Sequence, residues 1–258
     1  MSTNLSNAAR FFSDSDLKKI KSMNKKARDL LRDNVRSHWW NISRYSIICD
    51  LIKSLRLPMN SRVLELGVGT GDLISALAFS FKIGIDSFRY NQPYHGFKFI
   101  QGDINFLPLK KESMDLLLLL DVLEHTNQHE KVLKNIYAIL KKDGILIMTV
   151  PAYEWLYSYW DRMLGHIRRY TIVGAKTVVR SAGFTVAKSS YFNSFILPLV
   201  IVFRLIKSMT RTKEKASDFI SLPDSINAMF IYLSNIETIL LHHMGIPFGL
   251  SVLIVAKK

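Results

Sequence analysis

The chain has 258 residues, 48% of them hydrophobic, and a single cysteine, Cys49. That is enough apolar material for one elaborated domain and excludes a disordered chain, while the lone cysteine excludes an internal disulfide and a cysteine-built metal centre. The net charge of +14 is uneven: residues 1–60 and 151–258 each carry +7 and residues 61–150 carry none, so both basic flanks suit an anionic partner or a solvated helix face.

In chain order, a polar N-terminus without the apolar core of a secretory signal leads into a helical pattern over residues 14–56. Leu17, Ile20, Ala27, Leu31 and Val35 recur at helical spacing, and Asp14 or Ser15 can cap the start. Residues 1–60 therefore read as an N-terminal helical arm. Strands and helices then alternate. Arg62–Leu66 reads as a strand, Asp72–Phe79 as a helix, and Lys82–Ile85 and Lys98–Gln101 as strands. Asp115–Leu120, with its run of leucines, reads as a central buried strand. Glu130–Lys142 is an expected helix ending before Gly144, and Ile145–Val150 a strand stopped by Pro151. Ile172–Ala182 reads as a helix, and Phe184–Ser189 and Leu250–Ala256 as the last strands. Between those two strands lies a helical insertion, about 191–249, in a domain spanning 61–258. Its helix over Ser225–Met244 shows Ile226, Met229, Phe230, Leu233, Ile236 and Leu240 on one apolar stripe, and Gly245 can end it. Short apolar strands alternating with helices predict a doubly wound, mostly parallel α/β sheet.

The chemistry concentrates after the first strand, in Glu65-Leu66-Gly67-Val68-Gly69-Thr70-Gly71-Asp72. Glycines let a backbone turn sharply and approach a ligand closely. A dinucleotide loop has its third glycine one position later and turns a helix N-terminus toward a pyrophosphate. Here that position holds Asp72, and Glu65 precedes the loop. Two carboxylates repel a pyrophosphate and suit the ammonium and sulfonium of S-adenosylmethionine. Asp86 lies where a second strand ends and can accept both ribose hydroxyls. Asp103 closes the third strand and can accept an adenine amino group, with Ile104 against the ring. Asp121 closes the fourth. Carboxylates in register at strand C-terminal ends mark the edge where open α/β sheets bind ligands.

Residues Val63 to Tyr153 resemble the class I S-adenosylmethionine-dependent methyltransferases, in their ubiquinone-methyltransferase-like branch. The matching features are the acidic glycine loop, Asp86, Gly102-Asp103, Asp121-Val122-Leu123-Glu124-His125, and Leu140-Lys141-Lys142-Asp143-Gly144. The resemblance implies a Rossmann-like sheet of seven strands with the last one antiparallel, and S-adenosyl-L-methionine as methyl donor, leaving S-adenosyl-L-homocysteine. The family's usual tight hairpin between the last two strands is here interrupted by the insertion. Two further stretches resemble a subset of these enzymes: His38-Trp39-Trp40 with Arg44, and Pro151-Ala152-Tyr153 through Gly165-His166-Ile167-Arg168-Arg169-Tyr170-Thr171. The resemblance implies that the arm folds over the cofactor, with Arg44 pairing its carboxylate. His38, Trp39, Tyr153, Trp155, Arg168, Arg169 and Tyr170 are candidates for the substrate pocket, and His166 for a general base. The histidines show no metal-ligand spacing.

Methyl transfer from a sulfonium is an in-line displacement, so the protein mainly aligns its reactants. The acceptor is expected to be a small molecule or a lipid- or glycan-linked one. A nucleic-acid (RNA) acceptor, suggested by the basic flanks, is disfavoured: there is no Asn-Pro-Pro-aromatic motif of amino-methylating DNA enzymes, and Cys49 is badly placed to attack a cytosine. A non-catalytic binder that kept the fold is the third reading. The apolar run Phe195–Phe203, followed by Arg204, Lys207, Arg211, Lys213 and Lys215, falls short of the roughly 20 residues a spanning helix needs. It fits either a pocket lid or contact with an anionic membrane. A cytoplasmic protein, peripheral to a membrane in the second case, is expected. Oligomeric state is left open.

Overall fold

The computed structural model describes residues 23–34, 36–202 and 222–258. The expected cap at Asp14 or Ser15, the arm residues Leu17, Ile20 and Val35, and the basic residues from Arg204 to Lys215 lie outside them.

Seven strands form one sheet: β1 (Arg62–Leu66), β2 (Phe81–Asp86), β3 (Lys98–Gln101), β4 (Met114–Leu120), β5 (Leu140–Pro151), β6 (Thr185–Phe192) and β7 (Ser251–Lys257). Their order is β3-β2-β1-β4-β5-β7-β6. The first five pair in parallel, and β7 runs antiparallel between β5 and β6. Chain order reverses between β1 and β4, so their C-terminal ends open a crevice there. The helices among the described residues are α1 (Lys25–Asp33), α2 (Trp39–Ser54), α3 (Asp72–Ala76), α4 (His129–Ile139), α5 (Tyr159–Leu164), α6 (Ile172–Ser181) and α7 (Asp224–His243). A further helical segment covers 197–202.

The leucine run of β4 shows why the sheet is doubly covered. Leu117 and Leu119 point into one core with Val132, Leu133 and Ile136 of α4 and Ala175 and Val179 of α6. Leu116, Leu118 and Leu120 point into the other, against Ile47, Ile48, Leu51 and Ile52 of α2. Side chains alternate across a strand, so a strand apolar at every position must be buried on both faces. Cys49 packs at the margin of the α2 core, and burial pushes its thiol up.

Several elements differ from their sequence patterns. The arm is two helices rather than one. The Asn34 amide donates to Leu30 O and closes α1, while the His38 ring accepts from Trp40 N and opens α2. α3 stops at Ala76 because Leu77 turns to extended backbone. α4 stops at Ile139, where β5 takes over by pairing Leu140 with Met114, and Lys141 bonds Asp115 of β4 at 2.8 Å. The hairpin survives its insertion. β6 and β7 pair from Thr185↔Lys257 to Phe192↔Ser251, and the chain re-enters so tightly that a Cβ on Gly249 would lie 2.3 Å from Phe192 O.

α7 leaves most of its apolar stripe uncovered. Ile226, Met229, Ile236 and Leu240 of its apolar stripe are 38–49% exposed, while Ser234, Glu237 and Thr238 are buried. The cause is polar anchoring. Asn193 N and Ser194 N each donate to the Glu237 carboxylate at 2.7 Å. Asn227 accepts from Trp39 N and donates to Ser37 O, both at 2.9 Å. A buried carboxylate without partners is costly, so these bonds set the rotation. Phe230 alone of the stripe is fully buried, against Trp39 and Phe195.

Candidate active site

A cavity of about 980 Å³ opens at the β1/β4 crevice, roofed by α1, α2 and the insertion. Three glycines build its floor for different reasons. Gly67 (φ +71°) lies so close to Val122 that an added Cβ would stand 2.3 Å from Cγ2. At Gly71 (φ +80°), which opens α3, a Cβ would meet the Phe97 ring at 2.5 Å. Gly69 (φ +54°) would meet nothing within 4 Å, so its backbone faces open space. Gly67 and Gly69 line the cavity; Gly71 shapes the loop from behind.

The strand-end carboxylates gather around this floor. Asp86 accepts from Gly69 N at 2.8 Å and from Phe88 N at 2.9 Å, and burial raises its carboxyl. Asp103 accepts from Asn105 N and Nδ2 at 2.8 and 2.7 Å, with Ile104 beside it on the wall. Asp121, in left-handed backbone at φ +54°, is ion-paired with Arg44 of α2 and accepts from Thr149 at 3.0 Å. Arg44 thus already has a carboxylate partner inside the protein; burial would lower its guanidinium, but Asp121 and Tyr45 together outweigh burial and hold it above its ordinary value. Glu65 is 5% exposed, and its Oε2 has no hydrogen-bond partner. Burial pushes its carboxyl up to about 8, against the opposing charge of Arg44.

Across the cavity the segment after β5 supplies a second polar cluster. Ser158 caps α5 in a reciprocal box with Asp161. Asp161 accepts from Arg169 Nε and Nη2, each at 2.9 Å, and bonds His166 Nδ1 at 2.9 Å. Burial would raise Asp161, but the hydrogen bonds from His166 and Arg169 outweigh it and hold the carboxyl well below its ordinary range. His166 Nε2 faces Glu124 Oε1 at 3.7 Å. Glu124 is fully buried with neither oxygen hydrogen-bonded; burial and the charge of Asp121 push its carboxyl well above the ordinary range. Burial and neighbouring His166 push the His125 ring down to about 4, against its hydrogen bonds to the backbone at Gly165 and Asp121. Glu124, His125 and His166 each bring one ligand-type atom within 4.8 Å of the others. Spacing alone hides this group, because His166 comes from a separate loop.

Of the residues expected in a substrate pocket, His38, Trp39 and Arg169 line the cavity, as does His166. Tyr153, Trp155, Arg168 and Tyr170 do not. Tyr153 is stacked between Trp155 and Tyr191, with centroids at 5.6 and 5.1 Å, and Trp155 is 61% exposed beyond it. Tyr170 and Arg168 turn to the opposite side, where both reach the His129 ring. Period-two alternation across the loop explains this: Arg169 faces the cavity, so its neighbours face away from it. The sequence reading missed Glu124 and Asp161 as site residues. For Asp161 a signal existed, since Ser158 three residues earlier makes a capping box. The remaining wall is apolar, with Leu156, Ile196, Leu199, Val200, Phe230 and Leu250.

A methyltransferase-domain family matches residues 40–189. The chain is 24% identical over 226 residues to the ubiquinone/menaquinone biosynthesis C-methyltransferase UbiE of Campylobacter jejuni, covering 81% of this chain and 84% of that one. It is 27% identical over 133 residues to the uncharacterized methyltransferase YcgJ of Bacillus subtilis, covering 46% and 51%. Among solved structures, YcgJ superposes with a TM-score of 0.54 at 15% identity, over 83% of this chain and 98% of that one. A SAM-dependent methyltransferase from Archaeoglobus fulgidus superposes with a TM-score of 0.52 at 17% identity, over 89% and 99%.

Proposed function

We propose, from the premise that this chain belongs to the class I S-adenosylmethionine-dependent methyltransferases, that it methylates a small-molecule acceptor with a lipid-like apolar portion. One observation carries the acceptor class: the cavity runs on from the carboxylate-ringed glycine floor to the wall formed by Trp39, Leu156, Ile196, Leu199 and Phe230. The likeness to UbiE, named for a C-methyltransferase of quinone biosynthesis, supports a small molecule rather than a macromolecule.

The residues present fit the cofactor. An unpartnered, buried Glu65 oxygen and the open space over Gly69 suit a cationic guest lying close against backbone. When bound, S-adenosylmethionine supplies a methyl group already activated on sulfur for in-line displacement. Asp86 would hold the ribose, and Asp103 and Ile104 the adenine. Arg44 and Asp121 stand side by side as a cation and an anion, complementary to the α-carboxylate and α-ammonium of an amino acid. His166 would take the acceptor's proton where the acceptor arrives protonated. Asp161, held by Arg169, fixes its ring through Nδ1 and leaves Nε2 opposite Glu124. Burial under α2 and the insertion excludes water, and the apolar wall sets the acceptor's orientation.

The test is incubation of the protein with methyl-labelled S-adenosylmethionine and either a total lipid extract or an aqueous metabolite extract, followed by mass spectrometry. Label in a lipid-extract compound is expected, absent with Asp86→Ala. Label confined to the aqueous extract would overturn the acceptor class.

A further inference from the structure

We infer that Glu124, His125 and His166 bind one divalent cation of the zinc type at the cavity wall. The inference does not rest on the methyl-transfer reading, because its ligands are the chain's own and its readout is metal binding.

Three observations carry it. One ligand atom from each residue lies within 4.8 Å of the others, and all three residues line the cavity. Glu124 is fully buried with neither oxygen bonded to a neighbouring residue, which is costly for a carboxylate unless a proton or a cation neutralises it. The gap from His166 Nε2 to Glu124 Oε1, at 3.7 Å, is too long for a hydrogen bond. It is near the roughly 3.4 Å that separates two ligands of one ion when each lies about 2.1 Å from it at a tetrahedral angle.

The surroundings are those of a ligand set. A metal-bound imidazole usually hydrogen-bonds a carboxylate or carbonyl through its other nitrogen, which fixes the ring. His166 does this through Nδ1 to Asp161, itself clamped by Arg169. Two imidazoles and one carboxylate favour zinc or a similar transition ion over magnesium or calcium, which prefer oxygen. Three protein ligands leave a position open toward the acceptor. The imidazole lone pair that would hold the cation is the one a base would use, so cation binding and the base role of His166 exclude each other.

The experiment starts from the full-length protein stripped with a chelator. It is titrated with Zn²⁺ by calorimetry and, separately, with Co²⁺ followed by visible absorption. One Zn²⁺ per chain is expected, together with a d–d band of low-coordinate cobalt. Glu124→Gln and His166→Ala should each weaken binding at least 100-fold, and Asp161→Asn about 10–100-fold. His242→Ala, at the exposed end of α7, should bind as the parent does. No stoichiometric Zn²⁺ and no cobalt band in the parent protein overturns the site without recourse to any variant. Parent-like affinity in both Glu124→Gln and His166→Ala does so too.

Discussion

Gly67 and Gly69 stand two residues apart on one loop and answer to different constraints. At Gly67 a methyl group would be driven into Val122, in a backbone conformation that side chains disfavour. Gly67→Ala should therefore cost about 2–4 kcal/mol of stability, read by urea unfolding. Gly69→Ala meets no neighbour and should cost only about 1 kcal/mol. Its methyl enters the space a cofactor would use, so calorimetry should show affinity for S-adenosylmethionine falling at least tenfold. Equal stability losses at the two positions would refute this division. Glu65 sets a pH dependence. Burial raises its folded carboxyl from about 4.5 to about 8, so the folded state holds a proton that the unfolded chain has lost. Its contribution to stability is thus full below about pH 4.5 and is lost as pH rises to 8. A cationic guest favours the ionised form, so S-adenosylmethionine should bind more tightly at pH 8 than at pH 6. Glu65→Gln should flatten that slope; an unchanged slope would assign it elsewhere.

Among the elements, α7 shows how polar contacts can overrule an apolar stripe. The stripe splits, with Phe230 buried and Ile226, Met229, Ile236 and Leu240 left exposed. It cannot say which way the face points, because the choice is made by Glu237, fastened to Asn193 and Ser194, and by Asn227, fastened to Ser37 and Trp39. Glu237→Ala would strand two backbone donors in a buried site, with an expected cost of about 2–4 kcal/mol in chemical denaturation. The affected contacts carry Phe230 and the 197–202 segment, so the apolar end of the cavity should loosen while the glycine floor stays intact. Acceptor binding should then suffer more than cofactor binding.

At the scale of the whole molecule, the outward face of α7 carries Met229, Tyr232 and Ile239, each 49–65% exposed. No helix among the described residues is long and apolar enough to cross a membrane. We propose that this face lies on an anionic membrane surface, drawn there by the protein's net charge of +14. Vesicles containing anionic lipid should pull the protein down at low salt, with the interaction weakening as salt rises, and Met229→Glu with Ile239→Glu should reduce it. Failure to sediment at low salt would remove the membrane contact. The strands, their parallel order and the glycine loop were legible in the sequence because each depends on local periodicity or on a few adjacent residues. The partners of Arg44, the uncovered stripe of α7 and the meeting of Glu124 with His166 were not legible. They join side chains far apart in the chain, and only a closed sheet with its insertion folded over it fixes the distances between them. The sequence by itself determined the sheet and the acidic, glycine-tight floor beneath a cofactor. The tertiary structure alone decided what stands opposite, because burial and charge pairing depend on what surrounds a side chain in space, and spacing along the chain carries no record of that.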